Sequence, residues 1–279
     1  MTDPLPPGLY IVATPIGNLG DLTPRAADVL SRANLIAAED TRVTAKLLRH
    51  IGTETPMTPY HDHNADRVRP GLVARLGSEA VALVSDAGTP MISDPGFKLV
   101  RDARAAGHNI VTLPGPSAAI AALTLAGLPT DRFLFAGFLP SKEKARADGI
   151  AELKGLRASL VFYESGPRLG ATLAAMAAGL GARHAAVARE ISKAFEECVT
   201  GTLDELAERY AEHAPKGEIV IVVGPPGEAA PPEADHIDAL LTDALARLPI
   251  AKAAGEVAKA TGLPRHDLYT RALELKERA

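Results

Sequence analysis

The feature that most constrains this chain is a repeated order of short apolar segments, each followed by a small-residue turn and a helix-forming segment. The segment 8–14 predicts a buried strand, and the turn 15–20 ends it. Thr23 then predicts a helix start, with its hydroxyl as the N-cap and Pro24 at the first helical position. Apolar strands that alternate with helices are typical of a parallel sheet covered on both faces, so we predict an α/β fold.

The alternation continues through both halves of the chain. In the first half we predict strands at 35–38, 80–85 and 109–113, with helices near 42–48 and 97–106. In the second half the predicted strands are 133–137, 159–163, 185–189 and 218–223, and the predicted helices are 118–125, 142–153, 168–178 and 203–213. The strands near Phe133 and Ala185 are compatible with either direction.

Proline- and glycine-containing segments divide the chain into three predicted regions. These are an N-terminal α/β domain at 1–113, a second α/β domain at 114–227 and a helical tail at 235–279. The proline-rich segment 225–232 predicts a linker before the tail. In the tail, predicted helices at 251–260 and 267–276 flank a turn that contains Gly262, which resembles a helix-turn-helix. The alternative interpretation is that this tail is a small helical cap that stabilises the protein.

Composition excludes several classes of protein. The net charge of −4 argues against nucleic-acid binding through overall charge, although from Arg247 onward seven Lys and Arg stand against four Asp and Glu. A single cysteine, Cys198, excludes a disulfide within the chain. The longest apolar stretch, 118–128, is far shorter than the roughly 20 residues that span a bilayer. With no apolar leader at the start, we expect a cytoplasmic protein without membrane contact.

A ligand-binding turn is predicted after the clearest strand. The chain contains neither a P-loop nor the glycine fingerprint of dinucleotide-binding folds. It does contain Ser85-Asp86-Ala87-Gly88-Thr89-Pro90 at a predicted carboxyl end, where open α/β sheets bind ligands. The Asp86 carboxylate suits a ribose diol or an ammonium group. A plain turn capped by Asp86 is an equally common outcome of such a pattern.

Four turns of this kind follow predicted strands, at 14–18, 85–96, 114–118 and 162–165. Together they resemble the tetrapyrrole methylase superfamily. The segments 38–42, 60–64, 188–196 and 216–220 are similar to its RNA-modifying branch, which 2′-O-methylates a cytidine ribose of 16S ribosomal RNA. One departure lies at 163–168, where Tyr-Glu-Ser-Gly-Pro-Arg replaces the branch's usual Tyr-Glu-Ser-Pro-His/Asn-Arg.

The resemblance implies a two-domain tetrapyrrole-methylase-like fold, with a parallel first sheet, a mixed second sheet and a small helical C-terminal domain. It also implies S-adenosyl-L-methionine as the cofactor, held between the two α/β domains, 16S rRNA in the small ribosomal subunit as the substrate, and a homodimer. The cofactor-binding residues that it implies are Pro15, Gly17, Asp86, Ala87, Gly88, Ile92, Ser93, Ser117, Ala118, Phe162, Val222, Val223 and Gly224.

A ribose 2′-hydroxyl is a weak acid, so its attack requires a group that removes the proton. The predicted catalytic residues are Glu39, His61, Glu190 and Lys193, with Asp40 and His63 as further candidates for the base. For Asp40 and Glu190, an ion pair with the nearby arginine is an equally good interpretation. The predicted RNA-binding residues are Arg42, Lys46, His63, Asn64 and Arg189.

Two local patterns have plainer alternatives. Basic residues of the stretch 42–75, which are Arg42, Lys46, Arg49, Arg67, Arg69 and Arg75, predict a basic face, but a solvated helix surface produces the same pattern. The histidines at 61 and 63 lack a third ligand at recognisable spacing, so we predict no metal site.

Two other functions remain as alternatives at this stage. A methylase of a uroporphyrinogen-like tetrapyrrole would share the fold, but the helical tail and the motif 38–42 argue against it. A non-catalytic RNA-binding factor for ribosome assembly would also keep the fold, and failure to bind S-adenosylmethionine would favour it.

Overall fold

The structure, a computed structural model, describes residues 4–212, 214–227, 234–261 and 263–277. The chain divides into two units, 1–226 and 227–279. Both predicted α/β domains lie in the first unit, so their division at 113/114 stays a prediction. Most of the predicted linker (228–232) and Gly262 of the predicted tail turn lie outside the described residues.

The first sheet is entirely parallel, as predicted. It contains β1 (Gly8–Val12), β2 (Leu35–Ala38), β3 (Met57–Pro59), β4 (Ala80–Val84) and β5 (Ile110–Leu113), in the order β3-β2-β4-β1-β5. Its crossovers use α1 (Pro24–Arg32), α2 (Thr41–His50), α3 (Ala65–Arg75) and α4 (Phe97–Ala105). Alternate β1 side chains pack into separate cores, Tyr10 and Val12 on one face and Leu9 on the other. Helices therefore cover both faces, and the ligand-binding turns lie at the carboxyl edge.

The second sheet is mixed. It follows α5 (Ala118–Leu125) and contains β6 (Phe133–Phe138), β7 (Ser159–Ser165), β8 (His184–Arg189), β9 (Glu197–Thr202) and β10 (Glu218–Val223), in the order β6-β7-β10-β8-β9. Three more helices belong to this half: α6 (Glu143–Leu153), α7 (Gly166–Leu180) and α8 (Leu203–Arg209). β6 runs parallel to β7 and every other pair is antiparallel, which decides the two strand directions that the sequence left open.

Most predicted elements are confirmed. Strands 35–38 and 218–223 and helix 118–125 have the predicted bounds. α1 begins as predicted, since the Thr23 hydroxyl accepts a hydrogen bond from Ala26 N at 3.1 Å and Pro24 is the first helical residue. The helix predicted to reach residue 213 ends at Arg209, and His213 itself lies outside the described residues.

Three elements escaped the sequence analysis, namely β3, α3 and β9. β3 has only three residues, and α3 carries Pro70 and Gly71 in its interior, both of which weaken a helical pattern. β9 follows β8 after a short turn and has no fully buried residue. Because the sequence patterns of these three segments are weak, their structure depends on contacts with neighbouring elements.

The departure at 163–168 has a steric explanation. β7 continues to Ser165, and α7 begins at Gly166 with Pro167 in its first turn. A Cβ atom on Gly166 would collide with the carbonyl oxygen of Pro215. Glycine therefore allows the chain that leads into β10 to pass against the start of α7.

A buried carboxylate fixes the same turn. Glu164 is 4% exposed, and its Oε1 accepts a hydrogen bond from Ser165 N at 2.8 Å. Its Oε2 accepts from the Thr172 hydroxyl at 2.6 Å, and Arg168 forms an ion pair with Oε1 at 3.3 Å. Since buried charges need such partners, this arrangement defines how β7 enters α7.

The described residues of the C-terminal unit form three helices, α9 (Ala234–Leu245), α10 (Ile250–Thr261) and α11 (Arg265–Glu277). Its core is built from small and branched side chains, including Leu241, Ala253, Val257 and Leu268. Arg271 of α11 donates two hydrogen bonds to the Asp238 carboxylate of α9, at 2.8 and 2.6 Å. This bidentate pair fixes the outer helices against each other. Within the described part of the chain, no helix combines the length and apolar character needed to cross a membrane.

The contact at Gly166 predicts a stability effect. We expect Gly166→Ala to lower the free energy of unfolding by about 1–3 kcal/mol, because the added methyl group must displace the Pro215 backbone. The matched control is Gly71→Ala, where no atom lies within 4 Å of the added Cβ. In the interior of α3 that change should raise stability by about 0.5–1 kcal/mol. Urea unfolding measures both, and equal effects of the two changes would contradict the steric explanation.

Candidate active site

The predicted ligand-binding turns meet at the carboxyl edge of the first sheet. Thr14 and Gly88 exchange backbone hydrogen bonds of 2.9 and 3.0 Å, which join the turn after β1 to the turn after β4. The Thr89 hydroxyl donates to Pro116 O at 3.0 Å and adds the turn after β5. Gly88 has φ of +79°, a left-handed conformation that glycine adopts without strain.

A cavity of about 280 Å³ opens beside these turns and is bounded on its other side by the second sheet. We call it the acidic cavity. Its lining residues are Ile16, Glu39, Asp86, Ala87, Gly88, Thr89, Ile92, Ser93, Asp94, Ser117, Ala118, Phe138, Tyr163, Glu164, Ile191, Glu218, Ile219 and Val220. Its lining includes five carboxylates, and within the described part of the chain no Lys, Arg or His is among the lining residues. The cavity therefore favours a positively charged ligand.

Three of these carboxyl groups are perturbed by their surroundings. Desolvation raises the pKa of Glu39, Asp86 and Asp94, and neighbouring carboxylates raise each of them further. Glu39 accepts a hydrogen bond from Asp86 N at 3.2 Å, and Asp86 accepts one from Asp40 N at 3.0 Å. These two bonds connect the turns after β2 and β4, so the acidic groups are held close together. A bound cation would relieve their mutual repulsion.

The loop that carries Asp94 is conformationally strained. Met91 and Ser93 both have left-handed backbones, with φ of +74° and +67°, although neither is glycine. Such conformations persist only where the surroundings impose them, and they cluster at ligand-binding sites. Here they turn Ser93 and Asp94 towards the acidic cavity.

A second cavity of about 260 Å³ adjoins the first. We call it the adjoining cavity. Its lining residues are Thr14, Pro15, Ile16, Gly17, Leu19, Val43, Thr44, Lys46, Leu47, Ser85, Asp86, Ala87, Lys193 and Glu218. Ile16, Asp86, Ala87 and Glu218 line both cavities and form a shared wall.

Lys193 closes one side of the adjoining cavity through ion pairs with Glu190 at 3.0 Å and Glu218 at 2.9 Å. Burial lowers the pKa of Lys193, but the hydrogen bonds and the negative charges of Glu218 and Glu190 together outweigh it, and the net shift is upward. The hydrogen bond from Lys193 also lowers the pKa of Glu190. The geometry therefore favours a charged pair over a proton acceptor at either predicted catalytic residue. Glu190 pairs with Lys193 and not with Arg189 as predicted, because the Arg189 guanidinium instead contacts Glu197 at 3.3 Å.

The predicted cofactor-binding residues fall into three groups. Those on the acidic cavity are Asp86, Ala87, Gly88, Ile92, Ser93, Ser117 and Ala118. Pro15 and Gly17 line the adjoining cavity. Phe162, Val222, Val223 and Gly224 line neither of the two cavities, so their contact with the cofactor stays a prediction.

Strand geometry explains which residues line the cavity, because successive side chains of a strand point to opposite faces. Phe162 is 1% exposed and packs in the core with Leu173 and Met176 of α7, so its neighbour Tyr163 faces the acidic cavity instead. On β10 the cavity is lined by Ile219 and Val220, closer to the start of the strand than the predicted residues.

The other predicted catalytic and RNA-binding residues are spread around the site. Glu39 lines the acidic cavity and Lys46 the adjoining one, whereas His61 and His63 line neither. Asn64 closes the loop 59–64, since its side chain donates to Pro59 O at 2.9 Å and accepts from His61 N at 3.0 Å. These contacts give Asn64 a structural role without any ligand.

Ion pairs also occupy part of the predicted basic face. Arg42 is paired with Asp40 at 2.6 Å, and Arg75 with Glu79 at 2.6 Å. Arg69 is largely buried and bridges carboxylates at positions 66 and 102. Arg75 therefore fits the interpretation as a solvated helix surface, Arg69 is largely buried in structural ion pairs, and Lys46 faces a cavity.

The sequence analysis assigned no role to several cavity residues. Asp94 lies inside the recognised motif 85–96, and only its place beside Glu39 and Asp86 reveals its electrostatic role. Phe138 and Tyr163 form an edge-to-face pair with ring centroids 5.6 Å apart. Among the described residues, no group of three or more His, Cys, Asp or Glu is arranged to hold a metal ion.

Comparison with solved structures defines the class of fold. Uroporphyrin-III-C-methyltransferase from Thermus thermophilus superposes with a TM-score of 0.56 at 22% identity, covering 77% of this chain and 93% of that one. Diphthine synthase superposes with a TM-score of 0.60 at 14% identity, covering 77% and 89%. The model of tetrapyrrole (corrin/porphyrin) methylases matches residues 8–207, and that of the RsmI C-terminal HTH domain matches residues 230–276.

The chain belongs to the tetrapyrrole methylase family. Relatives called ribosomal RNA small subunit methyltransferase I are similar over nearly their full length. The protein of Erythrobacter litoralis is 56% identical over 98% of this chain and 97% of its own. The Mesorhizobium japonicum protein is 52% identical, covering 98% and 94%, and that of Escherichia coli O157:H7 is 47% identical, covering 95% and 94%.

The Asp40–Arg42 pair predicts an unusual titration at the edge of the site. The side-chain hydrogen bond from Arg42 holds the pKa of Asp40 at about 2. A depressed pKa contributes stability above the ordinary value of 3.8, and this contribution is lost as the pH falls towards about 2. The ¹³C shift of the Asp40 carboxyl should show this midpoint, and Arg42→Ala should raise it.

The backbone N–H of residue 42 still donates to Asp40 in that variant, so the pKa should remain somewhat below 3.8. Arg49→Ala, on the same helix, is the control and should leave the Asp40 midpoint in place. A wild-type midpoint near 3.8 would show that the ion pair does not form in solution.

Proposed function

We propose that the protein is an S-adenosylmethionine-dependent methyltransferase that methylates the 2′-oxygen of a cytidine in 16S rRNA within the small ribosomal subunit. The observation that carries the proposal is 44–56% identity, over nearly the whole chain, to relatives called ribosomal RNA small subunit methyltransferase I. Such a substrate implies action in the cytoplasm.

The acidic cavity suits this cofactor, which carries positive charge on its sulfonium and ammonium groups. The carboxylates of Glu39, Asp86 and Asp94 provide the opposite charge in a partly desolvated setting. A solved relative of similar fold, uroporphyrin-III C-methyltransferase from Thermus thermophilus, is complexed with S-adenyl homocysteine at 20% identity and a TM-score of 0.53. When bound, the cofactor supplies an activated methyl group.

Polar and aromatic groups around the cavity suit the remaining parts of the cofactor. Ser117 precedes α5 and its side chain makes no capping hydrogen bond, while the Tyr163 hydroxyl hydrogen-bonds to the backbone of Ala119. The N–H of Ala118 is therefore available to an anionic or hydroxyl group of a ligand. Phe138 and Tyr163 offer aromatic surface to an adenine ring. In this role the chain orients the methyl group and limits water access, and alignment of the reacting atoms supplies much of the rate.

The alternatives fit less well. A tetrapyrrole methylase shares the fold, but the match of residues 230–276 to the RsmI C-terminal HTH domain favours the RNA-modifying branch. A non-catalytic assembly factor has no need of the desolvated carboxylates that line the acidic cavity.

The direct test is transfer of labelled methyl groups from S-adenosylmethionine to small ribosomal subunits purified from a strain that lacks the gene. We expect label on the 2′-oxygen of a cytidine after nuclease digestion. Subunits from the parent strain are the matched control and should accept little label, because their site is already methylated. Label on a base, or calorimetric binding of the cofactor without transfer to RNA, would contradict the proposed acceptor.

The proposal includes a homodimer, supported by apolar side chains on an open sheet edge. β6 is an edge strand of the second sheet, and its Phe133 and Leu134 are 44% and 37% exposed. Edge strands with exposed apolar residues are prone to pair with another chain. We infer that this edge contributes to the contact between two copies.

We expect Phe133→Lys to weaken the dimer by at least tenfold in dissociation constant, because the contact would have to desolvate the new charge. Leu156→Lys is the control, since Leu156 is 40% exposed but lies outside β6. Sedimentation equilibrium measures both variants. A monomeric wild-type protein, or equal weakening by both changes, would exclude β6 as the interface.

A further inference from the structure

We propose that the adjoining cavity receives the acceptor nucleotide, with Lys46 binding its phosphate and Asp86 accepting the proton of its 2′-hydroxyl. This inference rests on the proposed function and deepens it, because it separates the place of the acceptor from the place of the methyl donor.

The acidic cavity and the adjoining cavity share a wall. Methyl transfer requires the acceptor oxygen and the methyl carbon to lie about 3–3.5 Å apart before reaction. With the donor in the acidic cavity, an acceptor in the adjoining cavity meets it where the cavities touch. That boundary consists of Ile16, Asp86, Ala87 and Glu218. Two cavities joined in this way give each reactant its own site and one place of contact.

The lining of the adjoining cavity combines apolar and basic side chains. Leu19 and Val43 line it and are 45% and 37% exposed, so they offer apolar contact at its mouth to the face of a base. Lys46 lies one turn after Val43 on α2 and is exposed. In the described part of the chain it forms no ion pair. By contrast, Lys193 is paired with two carboxylates. Lys46 is thus the cation of this cavity that is available to a phosphate.

The shared wall contains two carboxyl groups, those of Glu218 and Asp86. Glu218 is paired with Lys193 at 2.9 Å, and its side chain is 76% exposed. Asp86 uses Oδ1 to accept a hydrogen bond from Asp40 N, and among the described residues nothing donates to its Oδ2. Desolvation raises the pKa of Asp86, which makes it a stronger base than an ordinary aspartate.

The step balances at these atoms. The 2′-oxygen forms a bond to the methyl carbon, and the carbon–sulfur bond breaks with its electron pair left on sulfur. The 2′-proton passes to Oδ2 of Asp86. One positive and one negative charge disappear together, so a partly desolvated wall favours the product side of the step.

Asp86→Asn tests the base, because asparagine keeps an oxygen for Asp40 N but cannot accept the proton. We expect kcat at saturating S-adenosylmethionine to fall by about 10²–10⁴-fold with the KM for subunits within about threefold. The calorimetric Kd for S-adenosylmethionine should rise as well, because the Asp86 charge also lines the acidic cavity. Wild-type activity should be lost as the pH falls through the raised pKa of Asp86, and the residual activity of the variant should lack this acid limb. An unchanged kcat or an unchanged acid limb would overturn the assignment of Asp86.

Lys46→Gln and Val43→Trp test the acceptor site. We expect Lys46→Gln to raise the KM for subunits about tenfold and to lower the slope of log KM against log salt by about 0.7–0.9, the loss of one phosphate contact. Val43→Trp should fill the cavity and raise the KM at least tenfold, while the Kd for S-adenosylmethionine stays within threefold. Lys144→Gln, an exposed charge on α6, is the matched control and should change neither constant.

The outcomes separate this inference from the proposed function. A wild-type protein that transfers no methyl group to subunits would refute the proposed function itself. An active wild type whose KM is unaffected by Lys46→Gln, a surface change that leaves folding intact, would overturn the acceptor site. Loss of cofactor binding in Val43→Trp would do the same, because it would assign the adjoining cavity to the cofactor.

Discussion

Two backbone hydrogen bonds between Thr14 and Gly88 join the turns after β1 and β4, and most features of the site depend on this junction. It brings together segments that lie more than 70 residues apart in sequence, and the Thr14 hydroxyl adds a buried bond to Ser85 O at 3.2 Å. Gly115 packs so closely on Ala13 that a Cβ atom there would lie 2.9 Å from the Ala13 methyl group. These close contacts hold the turns after β1, β4 and β5 together beside the acidic cavity.

The two cavities beside these turns differ in the charge of their lining residues. Five carboxylates line the acidic cavity, and desolvation and mutual repulsion raise the pKa values of Glu39, Asp86 and Asp94, which favours binding of a cation. Lysines occur in the adjoining cavity, but one of them is already neutralised by Glu190 and Glu218. A protein with a net charge of −4 can in this way serve an RNA substrate, because local charge decides what each cavity binds.

The sequence motifs placed Asp86, Gly88, Ser93 and Ser117 in turns after strands, and all four line the acidic cavity. On β7 and β10 the prediction selected Phe162 and Val222, whereas Tyr163 and Val220 line the cavity. A one-residue difference moves a strand side chain to the opposite face, and an apolar strand that is buried on both faces carries no pattern that distinguishes them.

By itself the sequence determined the alternation of strands and helices, the start of α1 at Thr23 and Pro24, and the family resemblance, because each depends on residues that are near one another in the chain. Tertiary structure alone decided the strand directions of the second sheet, the partner of Glu190 and the division of the site into two cavities. The bond from Asp40 N to Asp86 spans 46 residues and exists only because β2 and β4 are neighbours in the sheet. Such contacts are set by strand order and crossover, which local residue patterns do not encode.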